Sequence, residues 1–217
     1  ITQLNHAETL AVIPPYVAVK KHNRREIQPF STIYWQATTI TPTAFDAVGA
    51  VIANHPNIVV LIETAQSHTV FDELIAKNSL TAANEHGIVD SDSQMAYKTR
   101  FQFLPPQTEV QRTRYIANTR ILLDLSERPD QFLQTQAISF GVPQINMVQT
   151  EYLIPNKNGQ LLSDYSELID ALNFYLDDNH HLSETQEMTH QMVTDFSDDM
   201  VWIKWQQIFN KIKQRNL

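Results

Sequence analysis

The stretch from Arg120 to Asn146 constrains this chain more than any other. Ile121 to Leu125 is an apolar run of the kind that forms a parallel strand buried on both faces. Ser126-Glu127-Arg128 is a polar turn. Pro129 follows where the first helical residue is expected, since its fixed φ and missing N–H do no harm there. Phe132, Leu133, Ala137 and Phe140 supply the apolar face of a helix. Gly141 ends that helix, because a left-handed cap needs no Cβ. Val142-Pro143-Gln144-Ile145 then opens a second strand. The unit is βαβ, and the turn after its first strand is where open α/β sheets hold ligands.

The same alternation extends in both directions. Thr32 to Ala37 reads as a strand, and Thr41-Pro42 as a helix cap followed by proline at the first helical position. Phe45, Val48 and Ile52 continue that helix. Asn57 to Ile62 is a strand rich in β-branched residues. Phe71 to Ala76 suggests a short helix, residues 79–97 a polar loop, and Thr99 to Leu104 a strand ended by Pro105-Pro106. Glu109 to Asn118 reads as a helix. Asp164 with Glu167 three residues later resembles a capping box, and Leu168, Ile169, Leu172, Tyr175 and Leu176 line the helix behind it. Residues 183–196 read as helical. A last helix starts near Ser197, with Asp198 and Asp199 in its first turn and Lys211, Lys213 and Arg215 near its end, the order a helix dipole favours. Val201, Trp202, Trp205, Ile208, Phe209 and Ile212 form its apolar face. Its two tryptophans are expected in the core; the alternative is docking on a neighbouring domain. Strands alternating with helices predict an α/β fold, a Rossmann-like parallel sheet with helices on both faces. We expect one such domain over 31–217 behind an extended, partly linker segment at 1–30.

Bulk properties remove several functions. The net charge of −8 lacks the basic face that nucleic-acid binding requires. With no cysteine there is no disulfide, thiolate nucleophile or cysteine-held metal. No apolar run approaches the roughly 20 residues of a membrane span. No signal peptide is visible, which favours a cytoplasmic protein. The chain begins with Ile1 and reads as a fragment of a longer protein or a processed one. The run Lys20-Lys21-His22-Asn23-Arg24-Arg25 reads as a solvated loop, or as a contact for an acidic partner.

The motifs from Gln136 onward resemble the second Rossmann-like domain of GT-B glycosyltransferases. In retaining nucleotide-sugar enzymes of that class the helix ends Glu-Ala-x-Ala-x-Gly-x-Pro. Here it reads Gln136-Ala137-Ile138-Ser139-Phe140-Gly141-Val142-Pro143, and Asn158-Gly159-Gln160-Leu161-Leu162 matches the turn and strand that follow. The departures lie at the chemistry. The helix glutamate that holds the nucleotide ribose is Gln136. The position eight residues earlier, also a glutamate in the family, is Arg128, beside Glu127. The Arg and Lys that hold the donor diphosphate near the first βα turn have no counterpart, since no Lys or Arg lies between Arg25 and Lys77. That turn, Thr38 to Pro42, has no glycine to bring phosphate onto the backbone. Charge-assisted hydrogen bonds contribute about 1.5–3 kcal/mol each, so losing two weakens a donor by about a hundred- to ten-thousandfold. Arg25 or Arg128 could compensate.

A second resemblance is closer. Leu123-Asp124-Leu125-Ser126, Pro129-Asp130, the Gln-rich helix and Gly141-Val142-Pro143-Gln144-Ile145-Asn146 resemble the first Asp-type protein family of the bacterial accessory Sec system, as does Ile33-Tyr34-Trp35. Gln144 and Asn146 carry weight because the enzymes have apolar residues there. The resemblance implies a GT-B-like fold without evident transferase activity, no cofactor, and a cytoplasmic protein associated with the membrane through partners. The implied partners are the other Asp-type proteins, the accessory SecA ATPase and glycosylated serine-rich adhesins. It also implies that this chain is mainly the C-terminal half of a longer protein.

The candidate ligand cleft is Ser126, Glu127, Arg128, Gln136 and Glu151. Ser126 could instead help cap the helix behind it. Glu151, after the Ile145 strand, matches a glutamate in the loop that meets the donor sugar. The alternative function, an active glycosyltransferase, would use Glu127 and Glu151. Asp124, Gly141, Pro143 and Gly159 are assigned structural roles, with Asp124 bonding the turn that follows it because a buried carboxylate needs donors. His180, His181 and His190 lack metal-ligand spacing and read as surface histidines; no metal is expected. There is no Gly-x-Ser-x-Gly elbow.

Overall fold

The computed structural model describes residues 31–66, 72–73 and 99–215. The segment expected at 1–30 and the loop expected at 79–97 lie outside them. So does the helix expected at 71–76, apart from two helical residues, Asp72 and Glu73.

Six strands form one parallel sheet: β1 (Ser31–Gln36), β2 (Ile58–Glu63), β3 (Phe101–Leu104), β4 (Ile121–Asp124), β5 (Gln144–Asn146) and β6 (Gly159–Leu161). Their order is β3-β2-β1-β4-β5-β6. The chain moves outward one way from β1 and the other way from β4, so the crevice of a doubly wound sheet opens between the ends of these two strands. The helices are α1 (Pro42–Asn54), α2 (Glu109–Ile116), α3 (Gln131–Phe140), α4 (Leu168–Leu176), α5 (Asn179–Met192) and α6 (Asp198–Arg215).

Strand alternation divides the side chains between two faces. Ile33, Trp35, Val60, Ile62, Leu123 and Ile145 meet α1 and α4 in the larger core, which also takes Phe45, Ile52, Leu172 and Tyr175. On the opposite face Tyr34 and Leu122 meet Ile116 of α2 and Leu133, Ala137 and Phe140 of α3. A third cluster, Ile138, Tyr152, Met192 and Phe196, joins α3 to the C-terminal end of α5.

Several boundaries follow from local chemistry. Thr41 caps α1, its hydroxyl accepting from the Ala44 N–H at 3.2 Å, with Pro42 first in the helix. Thr108 and Gln111 form a reciprocal capping box on α2. Gly141 ends α3 at φ 67°, where an added Cβ would also lie 2.5 Å from the His190 ring. At Gly159 an added Cβ would lie 2.1 Å from the Gln144 carbonyl oxygen, so β5 and β6 approach too closely for any side chain.

The structure corrects several expectations. Pro129 is not the first helical residue: Asp130 caps α3, accepting from the Leu133 N–H at 3.2 Å, and Pro129 precedes the cap. Thr99 and Arg100 are helical, so β3 begins at Phe101. Asp164 caps a short 3-10 turn, Tyr165–Glu167, and Glu167 accepts from the Ser163 N–H rather than closing a reciprocal box. On α4 the small Ala171 takes the inward position, and Ile169 is exposed. Helix α5 starts at Asn179, because Asp178 caps it through the His180 N–H. The largest difference concerns α6. Val201 is buried and Ile208 half-buried, while Trp202 (59% exposed), Trp205, Phe209 (54%) and Ile212 face outward. The tryptophans are not core residues.

Candidate functional site

The C-terminal ends of the strands carry a row of polar side chains. Register pairs Glu63 with Gln36, Gln36 with Asp124, and Asp124 with Asn146. All four point to the α2–α3 face, because the residues before them, Ile62, Trp35, Leu123 and Ile145, point into the larger core. Glu63, Asp124 and Asn146 are buried.

Most of the charge in this row is internally matched. Glu63, 2% exposed, accepts from Arg112 Nε at 3.0 Å to each oxygen and from Nη2 at 2.7 Å. It also accepts from the Gln107 N–H at 2.8 Å and from the Tyr34 hydroxyl. Arg112 Nη1 reaches Asp130 at 2.9 Å. The Asp130 N–H donates to Asp124 at 2.8 Å, and the Ser126 N–H donates to the other Asp124 oxygen at 3.1 Å, joined by the Ser126 hydroxyl. A single chain of bonds therefore runs from β1 and β2 through α2 to the β4–α3 turn. Burial, followed by the bond to Glu63, pushes the Tyr34 phenol up. Burial alone would lower Arg112, but Glu63 and then Asp130 hold it above the ordinary guanidinium value. Burial raises Asp124, against three hydrogen bonds that lower it.

The first βα turn is closed. Ile40 is buried, and its N–H donates to Gln66 Oε1 at 3.0 Å. Pro42 has no N–H, and the Ala44 N–H is taken by Thr41. A helix N-terminus cradles an anion with free N–H groups, and here two of the first three positions offer none.

Each expected site residue has a definite place. Ser126, Glu127 and Arg128 form the β4–α3 turn at this edge; Ser126 is half-buried and the other two exposed. Ser126 bonds Asp124 and does not cap α3; Asp130 does. Glu151 is exposed in the segment after β5, at the same edge. It adds to the burial that pushes the Tyr152 phenol up to about 12. Gln136 is half-buried in the second turn of α3. Asp124 holds the turn as described, and the Pro143 carbonyl accepts from the Leu122 N–H at 3.0 Å. His181 stacks on Phe174 with ring centres 4.1 Å apart, and His190 lies against Gly141. Among the described residues no three His, Asp or Glu side chains form a metal-binding group.

The Glu63–Arg112–Tyr34 centre is one that the sequence reading missed. One signal was available: Ile58 to Ile62 ends in a carboxylate, Glu63, just as Ile121 to Leu123 ends in Asp124. Nothing local points to Arg112, which lies 49 residues from its partner.

Comparison with known proteins places this arrangement. The family model for the first Asp-type protein of the accessory Sec system matches residues 24–210. A curated relative of the same description from Staphylococcus aureus is 49% identical over 57 residues, 26% of this chain and 11% of the relative. Among solved structures, that of accessory secretory proteins 1, 2 and 3 in Streptococcus pneumoniae is similar at TM-score 0.65 and 24% identity, over 90% of this chain and 37% of that chain. The C-terminal domain of a glycosyl transferase group 1 family protein from Francisella tularensis is similar at TM-score 0.55 and 13% identity, over 78% of this chain and 87% of that one. The fold is thus of the GT-B C-terminal domain type, and the chain spans well under two thirds of the accessory Sec relatives' own length.

Proposed function

The chain belongs to the family of the first Asp-type accessory Sec system protein, and from that premise we propose that it is a non-catalytic, glycosyltransferase-like component of the accessory Sec export system. It aids secretion of serine-rich glycosylated adhesins by binding partner proteins and substrate across the former donor cleft and the outer helices. Its partners are the other Asp-type proteins, in keeping with the structure of accessory secretory proteins 1, 2 and 3 from Streptococcus pneumoniae, together with the accessory SecA ATPase and the adhesin. It works in the cytoplasm and meets the membrane through these partners; no helix among the described residues is long and apolar enough to cross a membrane.

One observation carries the non-catalytic reading. Arg112, the largely buried guanidinium at the mouth of the sheet, is bonded to Glu63 and Asp130. A diphosphate arriving there would have to compete with two carboxylates already in place, and the edge also presents Glu127 and Glu151 beside Arg128. The closed turn at Ile40 to Ala44 supports the same conclusion. The outward face of α6, with two tryptophans and a phenylalanine, supports partner binding, since aromatic side chains dominate the energetics of interfaces.

Co-expression with the two companion Asp-type proteins, followed by affinity capture of this chain, tests the proposal. Co-purification of both is expected. Capture of neither, with this chain folded, would contradict it.

A further inference from the structure

The polar row and the helix above it contain more hydrogen-bonding capacity than the protein itself uses. Asn146, 0% exposed, has neither its oxygen nor its nitrogen bonded within the protein. The same holds for both side-chain heteroatoms of Gln134, also 0% exposed, on α3. Gln144 Oε1 and Gln36 Oε1 are likewise shielded and unbonded. These groups share one location. Gln144 and Asn146 are alternate residues of β5 on the α3 face, and Gln144 Nε2 reaches the Gln134 carbonyl at 3.4 Å. Gln36 stands two strands from Asn146 in the same register, with Asp124 between them.

Buried amides are rarely left without partners, and six such atoms lie in this one layer. Neighbouring strands are about 4.8 Å apart, too far for short amide side chains on alternate strands to bond one another directly across Asp124. Asp124 cannot serve both, because its oxygens already accept from Ser126 and Asp130. A partner for this set must both donate and accept, since the set contains amide nitrogens and amide oxygens. It must be small, because Gln134, Gln144 and Asn146 are fully enclosed, and neutral, because the neighbouring carboxylates are already matched. We infer that ordered water occupies this layer between α3 and β5, bridging Gln134, Gln144 and Asn146 and extending toward Gln36. An internal water needs two to four polar partners, and this cluster supplies them. Such a site accounts for polar residues at 144 and 146 in a strand whose middle residue, Ile145, is core.

Side-chain amide protons of the 217-residue chain, observed by NMR, give the test. Negative cross-relaxation to water, the sign of a long-lived bound molecule, is expected at the Asn146 and Gln134 amides. Asn146→Leu should abolish it at 146 and shift the Gln134 and Gln144 amide signals. The wild-type measurement stands alone if that variant fails to fold. Absence of these cross-peaks, or direct bonds between the amides in their place, overturns the assignment. Loss of the cross-peaks on adding glycerol also overturns it, by showing a site for ligand hydroxyls and not for resident water.

Discussion

The two faces of this sheet are built on different terms. Toward α1 and α4 the strands present Ile33, Trp35, Val60, Ile62, Leu123 and Ile145 to an apolar core. Toward α2 and α3 the same strands present Tyr34 and Leu122, then finish in Glu63, Gln36, Asp124 and Asn146. The first face stabilises by removing apolar surface from water. The second sets a costly row of polar groups at the mouth of the sheet, and it is tolerable only because its charges are matched. On the non-catalytic reading this is what a donor cleft becomes once its ligand is gone: the polar residues that would hold a ligand are held by one another.

Substitutions on the two faces should behave differently. On the apolar face, Phe45→Ala should cost about 3–5 kcal/mol by chemical denaturation, because Phe45 is fully buried and stacks on Phe101 with ring centres 4.7 Å apart. A loss near ~1 kcal/mol would mean the site collapses to fill the gap. On the polar face, Arg112→Met should cost about 3 kcal/mol, the lower end for a broken buried pair because Arg112 is partly exposed. Adding Glu63→Leu should restore most of that loss, which Phe45→Ala has no partner substitution to match. Failure of this rescue would show that Glu63 is held mainly by Tyr34 and Gln107.

Asp124→Asn should cost about 1–3 kcal/mol, since the amide nitrogen cannot accept from Ser126 or Asp130. Its pH dependence has a definite sign. Burial raises the folded carboxyl above its ordinary 3.8, so the folded state holds this proton after the unfolded chain has released it. The Asp124 contribution is complete below the unfolded value and declines as pH rises through the folded one. Wild type should therefore lead the variant by more at acid pH than at neutral pH, measured by denaturation across that range. The smallest effect on stability is expected at α6. Trp202→Ser with Phe209→Ser should change it by about 0.5 kcal/mol or less, as both are more than half exposed, yet it should abolish co-purification with the companion proteins.

Much of the fold can be read from the residues. The apolar runs at Ile58 and Ile121, the Thr41-Pro42 cap and Gly141 are local signals, and each element forms where its chemistry says. The reading fails where local patterns compete. Proline at 129 suits a helix start, but Asp130 is the better acceptor for an exposed N–H. Ile169 is the more apolar residue, but Ala171 occupies the inward position. Helix α5 is hard to delimit because Thr185 and Thr189, not larger apolar residues, are buried along it. The tryptophans of α6 are apolar by type, and no periodicity tells which surface receives them. At the site, Asp124 is legible because its partners lie within six residues. Arg112 is not, because only the register of β2 beside β1 and the placement of α2 bring it to Glu63.

Calorimetric titration of the chain with uridine diphosphate sugars tests most directly the proposal that the donor site has lost its chemistry while its scaffold remains. No saturable heat is expected at millimolar ligand, and no change when Arg112 is replaced. Saturable binding in the micromolar range, lost in Arg112→Met, would contradict the proposal by showing that Arg112 leaves its carboxylates for a diphosphate.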